Sequence, residues 1–225
     1  MGNTRRSIPF LGGRGMTIAR QTVVAESPDA LTDIYQNDIN MSVWQRQLSP
    51  SLISESLTLV EKEGFTGYRA VLSEAKLDYL DDALPDLARF PQLRADIQLL
   101  AEMFCCLFEK RDVGLRLSPL SSAMCPKFHV DHVPCRLITS YCGGGTQWLP
   151  HHTVNRSKLG AGSNGLNDSE SGLYSSADAI QTLATGDVAL LKGERWEGNK
   201  GAGLVHRSPE ILPNQKRLLL TLDYV

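Results

Sequence analysis

Hydrophobic spacing divides the chain into two textures. From about residue 49 to 110, apolar residues recur every three or four positions, the period of a helix with one buried face. In LISESLTLVEKEG, Ser49 or Ser51 can cap the start and Gly64 can stop the run. In LSEAKLDYLDDALPDL, Leu72, Leu77, Leu80 and Leu84 fall roughly on one face. In PQLRADIQLLAEMFCCLFEKR the apolar positions are Leu93, Ile97, Leu100, Met103, Phe104 and Leu107. Three helices are expected here, with Cys105 and Cys106 as buried small residues of the third. After Asp112 the pattern changes. GLRLSPL, CPKFHVDHV, RLITSYC, TQWLPHH, DVALLKG, GLVHRS and RLLLTLDYV are short runs rich in leucine, β-branched and aromatic residues, separated by Gly, Pro and Asn. Many short strands with turn punctuation predict a barrel or sandwich. The polar, Gly/Ser-rich stretch near 155–178 is expected to be a long loop over the barrel mouth.

The resulting expectation is an α+β fold, with N-terminal helices packed on a C-terminal β-barrel. Residues 1–20 would be a flexible tail, and 21–225 one domain. Within it, about 21–112 is mainly helical support and about 113–225 is barrel.

Composition adds exclusions. The 225 residues carry 23 basic and 25 acidic side chains, a net charge of −2. That balance supplies no electrostatic drive toward nucleic acid or an anionic membrane. The N-terminal stretch lacks the apolar core of a signal peptide, and no apolar run is long enough to span a bilayer. Gly2 follows Met1, but Arg6 stands where a myristoylation signal needs a hydroxyl. Met16 offers an alternative start. The five cysteines are odd in number and lack C-x-x-C spacing, so a cytoplasmic location fits better than a disulfide framework.

The chemistry concentrates in FHVDH. On a strand, His129 and Asp131 point to one face while Val130 and His132 point to the other. An imidazole and a carboxylate so arranged can reach one ion, and His206 in GLVHRS offers a third ligand from another strand. Arg217 opens the last apolar run, sharing a face with Leu219 and Thr221, while Leu218, Leu220 and Leu222 share the opposite one. A guanidinium beside a metal triad suits a carboxylate co-substrate, although a salt bridge at a strand start would use the same residue.

The order H-x-D, long gap, His, Arg resembles that of the iron(II)/2-oxoglutarate-dependent oxygenases, over about residues 125–224. The resemblance implies a double-stranded β-helix of the cupin or jelly-roll type. It implies metal ligation by His129, Asp131 and His206, and binding of the distal carboxylate of 2-oxoglutarate by Arg217. Homodimers are common among such barrels. Over nearly the whole chain, CPKFHVDHVPCRLITSYCGGGTQWLPHHTVNR resembles the signature of a bacterial domain-of-unknown-function family. That family's genes accompany zinc-responsive GTPase metallochaperones, which implies a role in zinc homeostasis. The same three ligands plus one water suit tetrahedral zinc as well as they suit octahedral iron with open positions.

The remaining candidates each have two readings. Tyr141 and Trp148 either pack or line the pocket, with Tyr141 assigned to cofactor binding. Cys125 is an accessory soft ligand or an inert thiol. His151, beside His152, is an accessory ligand or a loop residue. Arg136 and Arg156 bind an anionic substrate or make structural ion pairs. Small molecules and protein side chains both stand as substrates.

Overall fold

A computed structural model describes residues 19–225. Its strands and α-helices, in chain order, are β1 (Gln21–Ala25), β2 (Ile39–Trp44), α1 (Pro50–Glu61), β3 (Tyr68–Ser73), α2 (Leu80–Ala83), α3 (Pro91–Phe108), β4 (Asp112–Leu120), β5 (Cys135–Cys142), β6 (Gln147–Leu149), β7 (Gln181–Thr182), β8 (Val188–Lys192), β9 (Val205–Arg207) and β10 (Arg217–Tyr224). Seven strands form the large sheet, in the order β1-β2-β8-β5-β10-β4-β3, and three form a small one, β7-β6-β9. β1 and β2 run parallel, and every other pair in the large sheet is antiparallel.

Side-chain alternation gives the large sheet two apolar faces. Leu218, Leu220 and Leu222 of β10 join Val113, Leu115 and Leu117 of β4 under the helices, against Leu59, Leu93, Ile97, Leu100 and Phe104. Leu219 of β10, Ile138 of β5 and Ala189 of β8 face the other way, into an inner cluster with Met41, Val43, Leu183 and Leu204. Burial on both faces explains why β8 and β10 read as nearly unbroken apolar runs. α1 begins as its sequence predicts: Ser49 Oγ accepts from Leu52 N at 3.2 Å.

Three expectations change. First, the N-terminal part is not mainly helical, because β1, β2 and β3 all join the large sheet. β3 takes Leu72 and Ser73 from the expected second helix, and the rest is a broken series of 3-10 turns around the single turn α2. Pro85 lacks the N–H that a continuous helix would use there. Second, the expected tail at 1–20 lies outside the described residues except at its end. There Arg20 is buried, donating from Nε to Asn199 Oδ1 (2.9 Å) and from Nη2 to the Gly198 carbonyl (2.9 Å). Third, the 155–178 stretch does not cover a barrel mouth. It is folded into short turns whose Leu159, Leu173 and Tyr174 pack with Phe128, Leu149 and Val205 on the outer side of the small sheet.

All five cysteines are free; Cys105 is buried as expected, whereas Cys106 is exposed. No helix among the described residues is long and apolar enough to cross a membrane.

Candidate metal centre and its cavity

FHVDH is not a regular strand. His129 instead forms an isolated antiparallel bridge with His206 of β9. The two residues exchange backbone bonds, His129 N to His206 O at 3.0 Å and His206 N to His129 O at 2.9 Å. Residues paired this way present their side chains on one side, and the imidazole centroids lie 4.6 Å apart. Asp131, two positions on, returns to the same side. Its carboxylate oxygens stand 3.8 Å from His129 Nε2 and 3.4 Å from His206 Nε2. One ligand atom from each residue can be chosen so that all lie within 4.8 Å of one another.

The donor set fits a divalent metal. Nδ1 of His129 lies 3.0 Å from the Lys127 carbonyl, and Nδ1 of His206 lies 3.1 Å from the Leu204 carbonyl. A carbonyl only accepts, so each Nδ1 carries the proton, and in the neutral rings each Nε2 keeps a lone pair aimed toward Asp131. Burial, and then the neighbouring His206, push the His129 pKa down, which favours its neutral, ligating form. Burial opposes ionisation of Asp131. In the metal-free site, hydrogen bonding and charge from an imidazolium at His206, then the charges of Arg136 and His129, outweigh it and hold this carboxyl well below the usual range.

Supporting residues come from both near and far along the chain. Arg136 Nη1 donates to Asp131 Oδ2 at 2.9 Å, while its Nε and Nη2 grip Asp223 at 2.7 and 2.9 Å. Asp168, buried in the 155–178 stretch, accepts from Phe128 N (2.9 Å) and from Arg207 Nη1 (3.1 Å), so one carboxylate ties together the neighbours of both histidines. The Arg207 guanidinium also lies over the Phe128 ring, 4.3 Å from its centroid. At Gly193 an added Cβ would stand 2.1 Å from the Val133 carbonyl oxygen and 2.8 Å from that of Asp131, so only glycine lets this loop pass so close to the ligand-bearing segment.

A cavity of about 390 Å³ opens beside the cluster between the two sheets, lined by His129, His206, Ile138, Leu219 and Arg217 among others. Arg217 has no exposed surface. Its Nε donates to Ser140 Oγ (3.0 Å) and its Nη2 to Thr146 Oγ1 (2.7 Å), but Nη1 has no partner. Among the described residues no carboxylate pairs with it, so a strand-start salt bridge is not its role. Burial alone lowers its pKa from 12.5 to about 10.

The other candidates separate. Tyr141 is corrected: it faces away from the cavity into the helical core, where its hydroxyl donates to Asp96 Oδ2 (2.7 Å) beside Arg46. Trp148 pairs across strands with His206, but packs against the inner apolar cluster. His151 sits in a 3-10 turn outside the three-residue cluster, with Nδ1 3.3 Å from Arg156 Nη2. Cys125 lines the cavity, is exposed and is not part of the cluster. At Gly145 an added Cβ would sit 1.7 Å from the Leu183 carbonyl oxygen, so only glycine fits there. Sequence reasoning missed Ser140, Thr146 and Asp168. Ser140 was legible in part, because it alternates with Ile138 and Arg136 along β5.

A mixed α/β fold with a seven-stranded sheet, a small facing sheet and a His–Asp–His cluster beside a cavity defines the class: a protein with a site suited to one divalent metal. By sequence the chain belongs to the family described as "Protein of unknown function (DUF1826)", matched over residues 25–223. No curated protein matches it. Among solved structures it is similar to the rice dioxygenase for auxin oxidation (14% identity, TM-score 0.48, 91% of this chain and 82% of that one). It is also similar to a full-length Neurospora crassa protein in complex with alpha-KG and thymine (11% identity, TM-score 0.47, 94% and 87%). A third is HygX from Streptomyces hygroscopicus with nickel and 2-oxoglutarate bound (13% identity, TM-score 0.39, 87% and 85%). Likenesses this distant leave the chemistry to be decided by the side chains.

Proposed function

We propose that this chain is an oxygenase dependent on iron(II) and 2-oxoglutarate. The observation that carries the reading is Arg217: a fully buried guanidinium with an unpartnered Nη1, lining the same cavity as His129 and His206. A buried cation without a counter-ion is costly, and a carboxylate-bearing co-substrate would supply the counter-ion that the described residues do not. In this reading His129, Asp131 and His206 hold the metal, and Arg136 keeps Asp131 ionised and oriented. Ser140 and Thr146 aim Arg217 at the distal carboxylate of 2-oxoglutarate, and Leu219 and Ile138 keep water from the reacting centre. When bound, iron(II) with 2-oxoglutarate supplies dioxygen-driven oxidation of a substrate, coupled to release of carbon dioxide and succinate.

Anaerobic titration of the iron-loaded protein with 2-oxoglutarate tests this. A weak visible charge-transfer band is expected from the wild type and from neither Asp131→Ala nor Arg217→Met. Metal binding with no band, and no dioxygen consumption or succinate formation on admitting air, would refute the oxygenase reading. The second reading is a zinc-binding protein of zinc homeostasis, favoured by a ligand set that would complete a zinc tetrahedron with one water. Elemental analysis of protein purified from its own host discriminates the two, native iron supporting oxidation and native zinc the homeostatic role.

A further inference from the structure

The cavity has a second basic feature that the metal and co-substrate leave unused. Arg69 of β3 stands directly opposite Arg116 of β4, and Arg116 is in turn opposite Thr221 of β10. All of these line the cavity that holds His129, His206 and Arg217. Like charges placed opposite one another on neighbouring strands destabilise the sheet, so the pair needs a reason. Among the described residues neither arginine makes an ion pair. Among the described residues the one side-chain hydrogen bond made by either is a weak contact from Arg116 Nη1 to Met124 Sδ at 3.7 Å. The carboxylates nearby are engaged, since Arg136 takes both Asp223 and Asp131. Residues 1–18 contain no acidic side chain that could neutralise the pair. The cavity lining thus holds five arginines and one carboxylate, Asp223.

We propose that Arg69 and Arg116 are the substrate-recognition end of this cavity, and that the substrate is a small molecule bearing a carboxylate or phosphate. Two adjacent guanidiniums match the oxygens of such an anion in forked geometry. Met124, Val71 and Leu219, which line the same cavity, offer apolar surface for its carbon skeleton. Arg217 is distinct, being buried and held by hydroxyls, whereas Arg69 is exposed and Arg116 half-buried. The assignment of this anion as the molecule oxidised rests on the function proposed above; its binding does not.

The test uses benzoate and phenylphosphate as probes, titrated calorimetrically into metal-free full-length protein. One or both are expected to bind the wild type and to weaken at least tenfold in the double variant Arg69→Gln, Arg116→Gln, with Arg217→Met unaffected. Arg116→Lys, which keeps the charge but not the fork, is expected to fall between. Stronger binding of phenylphosphate identifies a phosphate substrate, and stronger binding of benzoate a carboxylate. Circular dichroism confirms that the double variant is folded, and 2-oxoglutarate binding to its metal-loaded form is expected to equal wild type. The proposal is overturned if neither probe binds at millimolar concentration, if both bind the double variant as they bind wild type, or if Arg217→Met is the change that abolishes binding. These titrations need neither metal nor co-substrate, so a failed charge-transfer experiment would remove the oxygenase reading without touching their outcome.

Discussion

Arg217→Met separates a ligand-binding guanidinium from a structural one, because the two roles predict opposite effects on the ligand-free protein. Burial lowers the Arg217 pKa from 12.5 to about 10. At about 1.4 kcal/mol per pH unit this is a standing cost on the charged form of about 3 kcal/mol. Methionine fills much of the same volume without the charge. It gives up the donations to Ser140 and Thr146, at about 1 kcal/mol each, and leaves two hydroxyls that can rotate to other partners. The metal-free variant should therefore be as stable as wild type or about 1 kcal/mol more stable. An arginine in a buried salt bridge would instead lose about 3–5 kcal/mol on such truncation. Ligand reverses the order. At a hundred times its Kd, 2-oxoglutarate should stabilise the metal-loaded wild type by about 2.7 kcal/mol and the variant not at all. Urea denaturation followed by circular dichroism, with and without metal and 2-oxoglutarate, measures all four quantities. A metal-free variant destabilised by more than about 3 kcal/mol, together with equal stabilisation of both proteins by 2-oxoglutarate, would refute the reasoning.

Other residues give independent checks. Asp168→Asn keeps the shape but removes the charge that holds Arg207, so metal affinity should fall about 10- to 100-fold, as for other residues that orient ligands; an unchanged metal titration would detach Asp168 from the site. Tyr141→Phe should cost about 1–2 kcal/mol in chemical denaturation through its lost bond to Asp96, while metal and 2-oxoglutarate binding stay at wild-type values; impaired co-substrate binding would contradict its place in the helical core. Lys192 is buried against Trp196, and burial, then the charge of Arg20, lowers its pKa from 10.5 to about 8. A depressed lysine pKa means that the unfolded chain binds more protons between about pH 8 and 10.5, so wild-type stability gains from this group as pH rises through that window. The stability advantage of Lys192→Met over wild type should accordingly be largest below pH 8 and shrink toward pH 10.5; paired urea titrations at several pH values would expose a constant or widening gap.

Period-two reasoning carried far along individual strands. It assigned Arg217, Leu219 and Thr221 to one face of β10 and the leucines between them to the other, and the cavity and the helical core divide them in that way. The same rule, applied along β5, excludes Tyr141 from the face of Arg136: an odd separation on one strand puts two side chains on opposite faces. His129 and Asp131 sharing a side also follows from the local H-x-D spacing, even though the segment is not a regular strand.

What needed the tertiary structure was every relation between segments distant along the chain. Strands β1 to β3 were hidden because short apolar runs such as Tyr68–Ser73 fit either period, and only pairing with β4 decides between them. His206 reaches His129 through a single bridge whose register no local pattern encodes. Asp168 serves both histidines only because a polar stretch folds back on the small sheet. Arg217 acquires its meaning from the lack, among the described residues, of a carboxylate paired with it, which appears once distant segments are in position. Alternation along a strand is a local steric property that residue order determines; adjacency between segments depends on loop closure and on burial summed over the whole core, which only the folded chain decides.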